Sequence, residues 1–188
     1  MKKIFIYSLL VMVFSAMSCY EDLIDIENQN FPTTATFWKS PEDAQLGLDA
    51  VYTMFYKPGS WTRWIYFRFD LTSDEGYSQS PWNELKEWTR FIYFNYNFWE
   101  GNAWMWRDHY KAIFRCNQVL DYVPEIEFGN QADKDPILAQ AKFLRAFYYY
   151  NLALMFDNVP LLLNASQPDD TPEQATEDQV YNQIKLDL

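Results

Sequence analysis

Residues 141–161, AKFLRAFYYYNLALMFDNVPL, constrain the fold more than any other stretch of the chain. The segment has the length and residue types of a helix, yet it lacks a clean polar face and stops at Asp-Asn-Val-Pro. Ile137, Ala141, Leu144, Tyr148 and Met155 fall on one stripe at helical spacing, and Ala139, Phe143, Ala146, Tyr150 and Ala153 on a second. A helix with two apolar stripes is expected to be buried between neighbours on both sides. Its small residues let those neighbours approach, and the aromatics at 143 and 147–150 fill the space between them. The helix is predicted to start near Asp135-Pro136, and Lys142 and Arg145 within it to pair with acids or with a partner. Such an element needs helices around it, so the chain is predicted to be mainly α.

Those helices have their own signals. Ser40-Pro41-Glu42-Asp43 is a helix start: serine caps, proline takes the first turn, and the acids meet the positive end of the dipole. Ala44, Gly47, Leu48, Val51, Tyr52 and Phe55 follow at helical spacing until Pro58-Gly59. A second helix is predicted over 102–123, with Trp106, Tyr110, Ile113, Asn117 and Leu120 as one stripe and Pro124 as its end. Thr176-Glu-Asp-Gln179 is a capping box that opens a last helix carrying Val180, Ile184 and Leu188. That helix meets no stop signal, and the expectation is a longer protein. Residues 60–101 read as irregular, punctuated by Gly76, Pro81 and Gly101, with a short helix over 84–90. Residues 91–98 fit a strand by propensity or a long loop lying on the body. Helix pairs that alternate small residues with aromatics resemble stacked tetratricopeptide units, although no strict repeat is present.

The N-terminus is read separately. Lys2 and Lys3 precede an apolar run over 4–17, too short for a membrane span, which ends in Ala16-Met17-Ser18-Cys19. Small residues before a cysteine at this position resemble the bacterial lipoprotein cleavage site. The expectation is a signal peptide over 1–18, a lipid on Cys19, an extended tether over 19–39 and a helical domain over 40–188, truncated at its C-terminus. Cleavage removes two lysines and no acid, so the formal charge moves from −11 to −13. Such a surface repels nucleic acid and anionic lipid. The acidic run Tyr-Glu-Asp-Leu-Ile-Asp after Cys19 resembles the surface-export signal of Bacteroidetes lipoproteins, and is equally compatible with a solvated tether. Cys116 is left without an internal disulfide partner and, among Ile113, Phe114 and Leu120, is expected to be a packed core thiol. The single His109 cannot build a His-rich metal site or a Ser-His-Asp triad, and no cofactor motif is present.

Taken together, several motifs resemble the N-terminal part of the SusD/RagB family. They are Phe37-Trp38-Lys-Ser-Pro-Glu-Asp-Ala44 running into Leu48-Asp-Ala-Val-Tyr52, Leu71-Thr-Ser-Asp-Glu75, the W-x3-Y-x2-I-x3-N-x2-L spacing of Trp106 to Leu120, and Ala141-Lys-Phe-Leu-Arg-Ala-Phe-Tyr-Tyr-Tyr150 continuing to Asp157-Asn-Val-Pro-Leu161. The family usually has glycine where Asp157 or Asn158 stands here. The resemblance implies a tetratricopeptide-like scaffold with long aromatic-rich loops. It also implies a surface lipoprotein of the outer membrane that captures oligosaccharides or other nutrients and hands them to a SusC-like TonB-dependent transporter.

The residues themselves point to a site in 61–106, which holds 16 aromatics in 46 residues and seven of the eight tryptophans. Sugars present flat C–H faces edged by hydroxyls, so a binding site needs an exposed ring with polar groups beside it. Most of these rings are expected in the core. Trp82-Asn83 and Trp88-x-Arg90, with Asp74 near them, are the expected ligand contacts because turn and polar residues surround them. Two alternatives differ in class. A glycoside hydrolase needs two carboxylates roughly 5–10 Å apart across a cleft; Asp74 and Glu75 are adjacent in sequence, so an enzyme is not expected. A helical adaptor would bind only proteins.

Overall fold

A computed structural model of the chain describes residues 34–91, 99–165 and 171–188. The expected cleavage site, Cys19, the tether up to residue 33 and most of the 91–98 segment lie outside the described residues. The chain divides into two units, residues 1–37 and 38–188. Of the first, a single helical turn, Thr34–Phe37, is described.

The elements of the second unit are α1 (Pro41–Tyr52), α2 (Trp64–Leu71), α3 (Asn83–Thr89), α4 (Trp99–Tyr122), α5 (Gln131–Phe156) and α6 (Glu177–Asp187), with 3-10 turns at Thr53–Tyr56 and Val123–Glu125. Among the described residues there is no strand, only an isolated bridge between Pro160 and Gln174. The scaffold is the mainly helical one expected. No described helix is long and apolar enough to cross a membrane.

Both predicted helix starts form, and the serine cap at Ser40 proves to be a full capping box like the one predicted at Thr176. The Ser40 hydroxyl accepts from the Asp43 N–H at 3.2 Å while the Asp43 carboxylate accepts from the Ser40 N–H at 2.9 Å. Thr176 and Gln179 repeat the exchange at the start of α6. α1 buries Ala44, Gly47, Leu48 and Val51. A Cβ at Gly47 would lie 2.4 Å from the Trp38 ring, so the glycine makes room for an indole that stacks on Tyr122. Pro58-Gly59 does more than end a helix. The Gly59 backbone lies against the Trp104 carbonyl, and its N–H donates to the buried Asp108 carboxylate at 2.9 Å.

α4 packs on α5, α5 on α6, and α1 against both α4 and α5. Helices α1, α4, α5 and α6 packed on one another in this way form a tetratricopeptide-like array. Cys116 lies fully buried in this core, as expected, and burial pushes its thiol well above the usual range.

Three expectations for α5 and α6 are corrected. α5 begins at Gln131, because Asn130 accepts from the Ala132 N–H at 3.1 Å and caps it; Pro136 sits inside the helix. The second apolar stripe is only half buried: Ala146 and Ala153 are covered, while Ala139, Phe143 and Tyr150 face outward. Leu188 is exposed, and Asp187 takes the inward position instead.

The reason is a buried polar seam. Arg145 donates to Asp187 through Nε at 2.7 Å and Nη2 at 2.6 Å, and through Nη1 to Asn117 at 2.9 Å. Asn117 in turn donates to the Leu162 and Asn164 carbonyls, both at 2.9 Å. Tyr110 donates to the Pro160 carbonyl at 2.7 Å, Tyr149 exchanges two hydrogen bonds with the Leu162 backbone, and Asp121 accepts from the Ala165 N–H. Residues 160–165 follow α5 and run as irregular backbone along α4, from Tyr110 past Asn117 to Asp121, and against Tyr149 of α5. Their polar groups find side-chain partners there in place of a ladder. The Tyr110 and Asn117 positions of the spaced motif thus act as a clamp on this strap. The turn into it places Asp157 at φ 65°, a region that favours glycine.

Candidate functional site

Beside the main core lies a second, smaller cluster built from Trp64, Ile65, Leu71, Leu85, Trp88 and Met105. It joins α2 and α3 to the start of α4. α2 was read as irregular, because its sequence, WIYFRFDL, is apolar at nearly every position and carries no helical period. In the structure Trp64 and Ile65 face in, while Tyr66, Phe67 and Phe69 face solvent.

The cluster separates the two candidate indoles. Trp82 is 41% exposed, in the loop that enters α3. Trp88 is only 2% exposed, so its ring offers no face to a ligand, and the expectation that it is a contact is corrected. The physical reason is the helix itself. Leu85 and Trp88, three residues apart, share the inward face of α3. Trp88 meets Trp64 edge to face at 6.2 Å.

Trp82 is held from behind. Its ring stacks on the fully buried Trp64, with centroids 6.2 Å apart and planes 23° from parallel. The Trp82 backbone N–H donates to the Ser80 hydroxyl at 3.1 Å. The Arg63 guanidinium lies 4.5 Å from the Trp64 centroid and 5.5 Å from that of Trp82. An exposed ring fixed by a buried one presents a flat apolar surface that loses little freedom on binding.

The other expected contacts are less concentrated. Arg90 is exposed as the C-cap of α3. Asp74 and Glu75 are exposed in the turn after α2, at the end opposite Arg63. Asn83 opens α3, and its side chain lies outside the described residues. Arg63 itself was not among the expected contacts, and only its position beside Trp64 in the sequence hinted at it. A cleft of about 420 Å³ between α5 and the end of α6 is lined by Asp135, Lys142, Phe143 and Leu186, with none of the indoles. Its single ring is the phenyl of Phe143, and the Trp82 surface, where an exposed indole stacks on a buried one, is the better candidate.

Among the described residues no three His, Cys, Asp or Glu side chains converge as metal ligands. His109 is buried and donates from Nδ1 to the Met105 carbonyl at 2.7 Å, which only accepts. Burial pushes its imidazole down to about 4, so it is neutral near pH 7.

Comparison with known proteins adds an independent line. Residues 22–188 match the SusD-like family model described as starch-binding and associating with the outer membrane. SusD-like protein P38 of Formosa agariphila is 28% identical over 166 residues, covering 87% of this chain and 31% of that protein. A laminarin-binding SusD-like protein of known structure is 29% identical, with a TM-score of 0.63 over 79% of this chain and 33% of that one. Surface glycan-binding protein A from Bacteroides uniformis is 26% identical, with a TM-score of 0.66 over 79% of this chain and 33% of that one. The chain therefore spans about a third of the length of these relatives.

Proposed function

The chain belongs to the SusD-like family of starch-binding proteins associated with the outer membrane, and on that premise we propose that it captures oligosaccharides at the cell surface without transforming them. Captured ligand passes to a SusC-like TonB-dependent transporter, and a lipid on Cys19 holds the protein at the outer membrane. The observation that carries the capture step is the exposed indole of Trp82 backed by the buried Trp64. Its ring buries the C–H face of a sugar, and exposed polar groups of the same segment, Arg90 and Asp74 among them, satisfy hydroxyls. The names of two relatives, one laminarin-binding and one glycan-binding, support a carbohydrate ligand.

The test is calorimetric titration of the full-length mature protein against a panel of oligosaccharides, together with an assay for release of reducing ends. Saturable binding without turnover is expected. Turnover lost on replacing Asp74 and Glu75 would show a hydrolase instead. Failure of every oligosaccharide to bind, while the transporter still does, would leave a protein adaptor.

A further inference from the structure

We propose that the sugar taken at Trp82 is an acidic one, carrying a carboxylate or sulfate, and that Arg63 reads its charge. This inference rests on the capture reading above.

Arg63 is exposed and lies over two indoles, one of them the exposed ring of Trp82. Among the described residues it pairs with no carboxylate and donates no hydrogen bond to an acceptor. In a chain with 26 acidic and 15 basic side chains, an unpaired guanidinium beside the exposed indole is out of keeping with the average surface. Contact with ring faces leaves the N–H edge of a guanidinium open, and that edge matches the two oxygens of a carboxylate or sulfate.

The backbone adds to the positive field. Arg63 is the N-cap of the eight-residue α2, whose N-terminus has no side-chain cap. A cation at the positive end of a helix breaks the usual charge rule. An anion seated there gains from both the side chain and the helix end, and local violations of this kind tend to fall at functional sites. The nearest acid in sequence, Asp70, lies in the last turn of α2 together with Arg68, and Asp74 and Glu75 follow that end. Eight residues of helix separate the two ends by about 12 Å, so these acids lie at the end away from Arg63.

The chemistry then divides the sugar between two groups. The indole takes the apolar face of the ring, as it would for any sugar. The guanidinium takes the anion, which a neutral sugar lacks. A neutral ligand can offer the guanidinium only a hydroxyl oxygen, a weaker acceptor than a charged one.

The experiment titrates the full-length mature protein with oligogalacturonate, sulfated galactan oligosaccharides and neutral laminarin oligosaccharides of equal length. At least one acidic ligand is expected to bind about tenfold more tightly than the neutral one, the factor set by one charge-assisted contact. Whether the oligouronate or the sulfated galactan shows that gain identifies the anion. Arg63→Gln should weaken the acidic ligand about tenfold, so that the preference is lost, and keep the melting temperature, because the side chain is exposed. Raising salt to about 0.3 M should weaken acidic binding and spare neutral binding. Neutral binding that equals acidic binding and is lost in Trp82→Ala overturns the charge preference and leaves capture intact. No binding of any ligand by the folded protein overturns both.

Discussion

Replacing Asp187 with alanine should destabilise the protein far more than its place on the last helix suggests. The side chains of Arg145 and Asp187 are 8% and 3% exposed. Four contacts use four of the five Arg145 N–H donors: two to Asp187, one to Asn117 and one to the Leu163 carbonyl at 3.1 Å. Alanine at 187 leaves a buried charge with two donors unmet, and such a loss costs about 3–5 kcal/mol. A chain of this size shifts by about 2–4 °C per kcal/mol, so the melting temperature should fall by about 6–20 °C. Thermal unfolding followed by far-ultraviolet circular dichroism measures it directly. The double variant Arg145→Met, Asp187→Leu should recover much of the loss, because an apolar pair of similar volume removes the stranded charge. A fall of less than about 2 °C in Asp187→Ala would refute the reasoning: the seam would then be open to water, and the strap would need another anchor.

Three further outcomes follow from the same packing. Asp157→Gly should raise stability by about 1 kcal/mol, since the φ of 65° suits glycine, and an unchanged melting temperature would remove that argument. Ala146→Leu should cost about 1–3 kcal/mol by overpacking a residue that is 2% exposed, read as a lower midpoint in urea. His109 sets a pH dependence whose sign is fixed. Its folded-state value near 4 lies below the ordinary 6.5, so the unfolded chain binds the proton first as pH falls. Stability present above about pH 6.5 is therefore lost towards pH 4, by about 2–3 kcal/mol. His109→Gln should flatten that part of a melting-temperature profile.

The sequence made some of this legible and hid the rest for physical reasons. Caps are local: Ser40 with Asp43 and Thr176 with Gln179 act within four residues, so both helix starts could be read directly. The start of α5 was misplaced because Pro136 is a strong signal, while the single bond from Asn130 that sets it is a weak one. α2 was missed because aromatic residues occupy both its faces, which erases the periodic contrast. The strap over 160–165 depends on bonds such as Asn117 to Leu162, 45 residues apart in the chain, and no local pattern encodes them. At the site, Trp82 and Trp88 looked equivalent by their polar neighbours. The three-residue spacing of Leu85 and Trp88 within the predicted 84–90 helix already distinguished them, because it puts both on one face. The role of Arg63 depends on Trp82 folding back over Trp64, a contact between a loop and the start of α2 that composition cannot show.

The most direct measurement compares wild-type protein with Trp82→Ala by calorimetry, using whichever oligosaccharide binds most tightly. Stacking on one indole face buries about 60 Å² of apolar surface, worth about 1.5 kcal/mol, so affinity should fall by about tenfold. The melting temperature should hold, since the ring is 41% exposed and Trp64 keeps the cluster closed. Undiminished affinity in a folded Trp82→Ala protein would contradict the account.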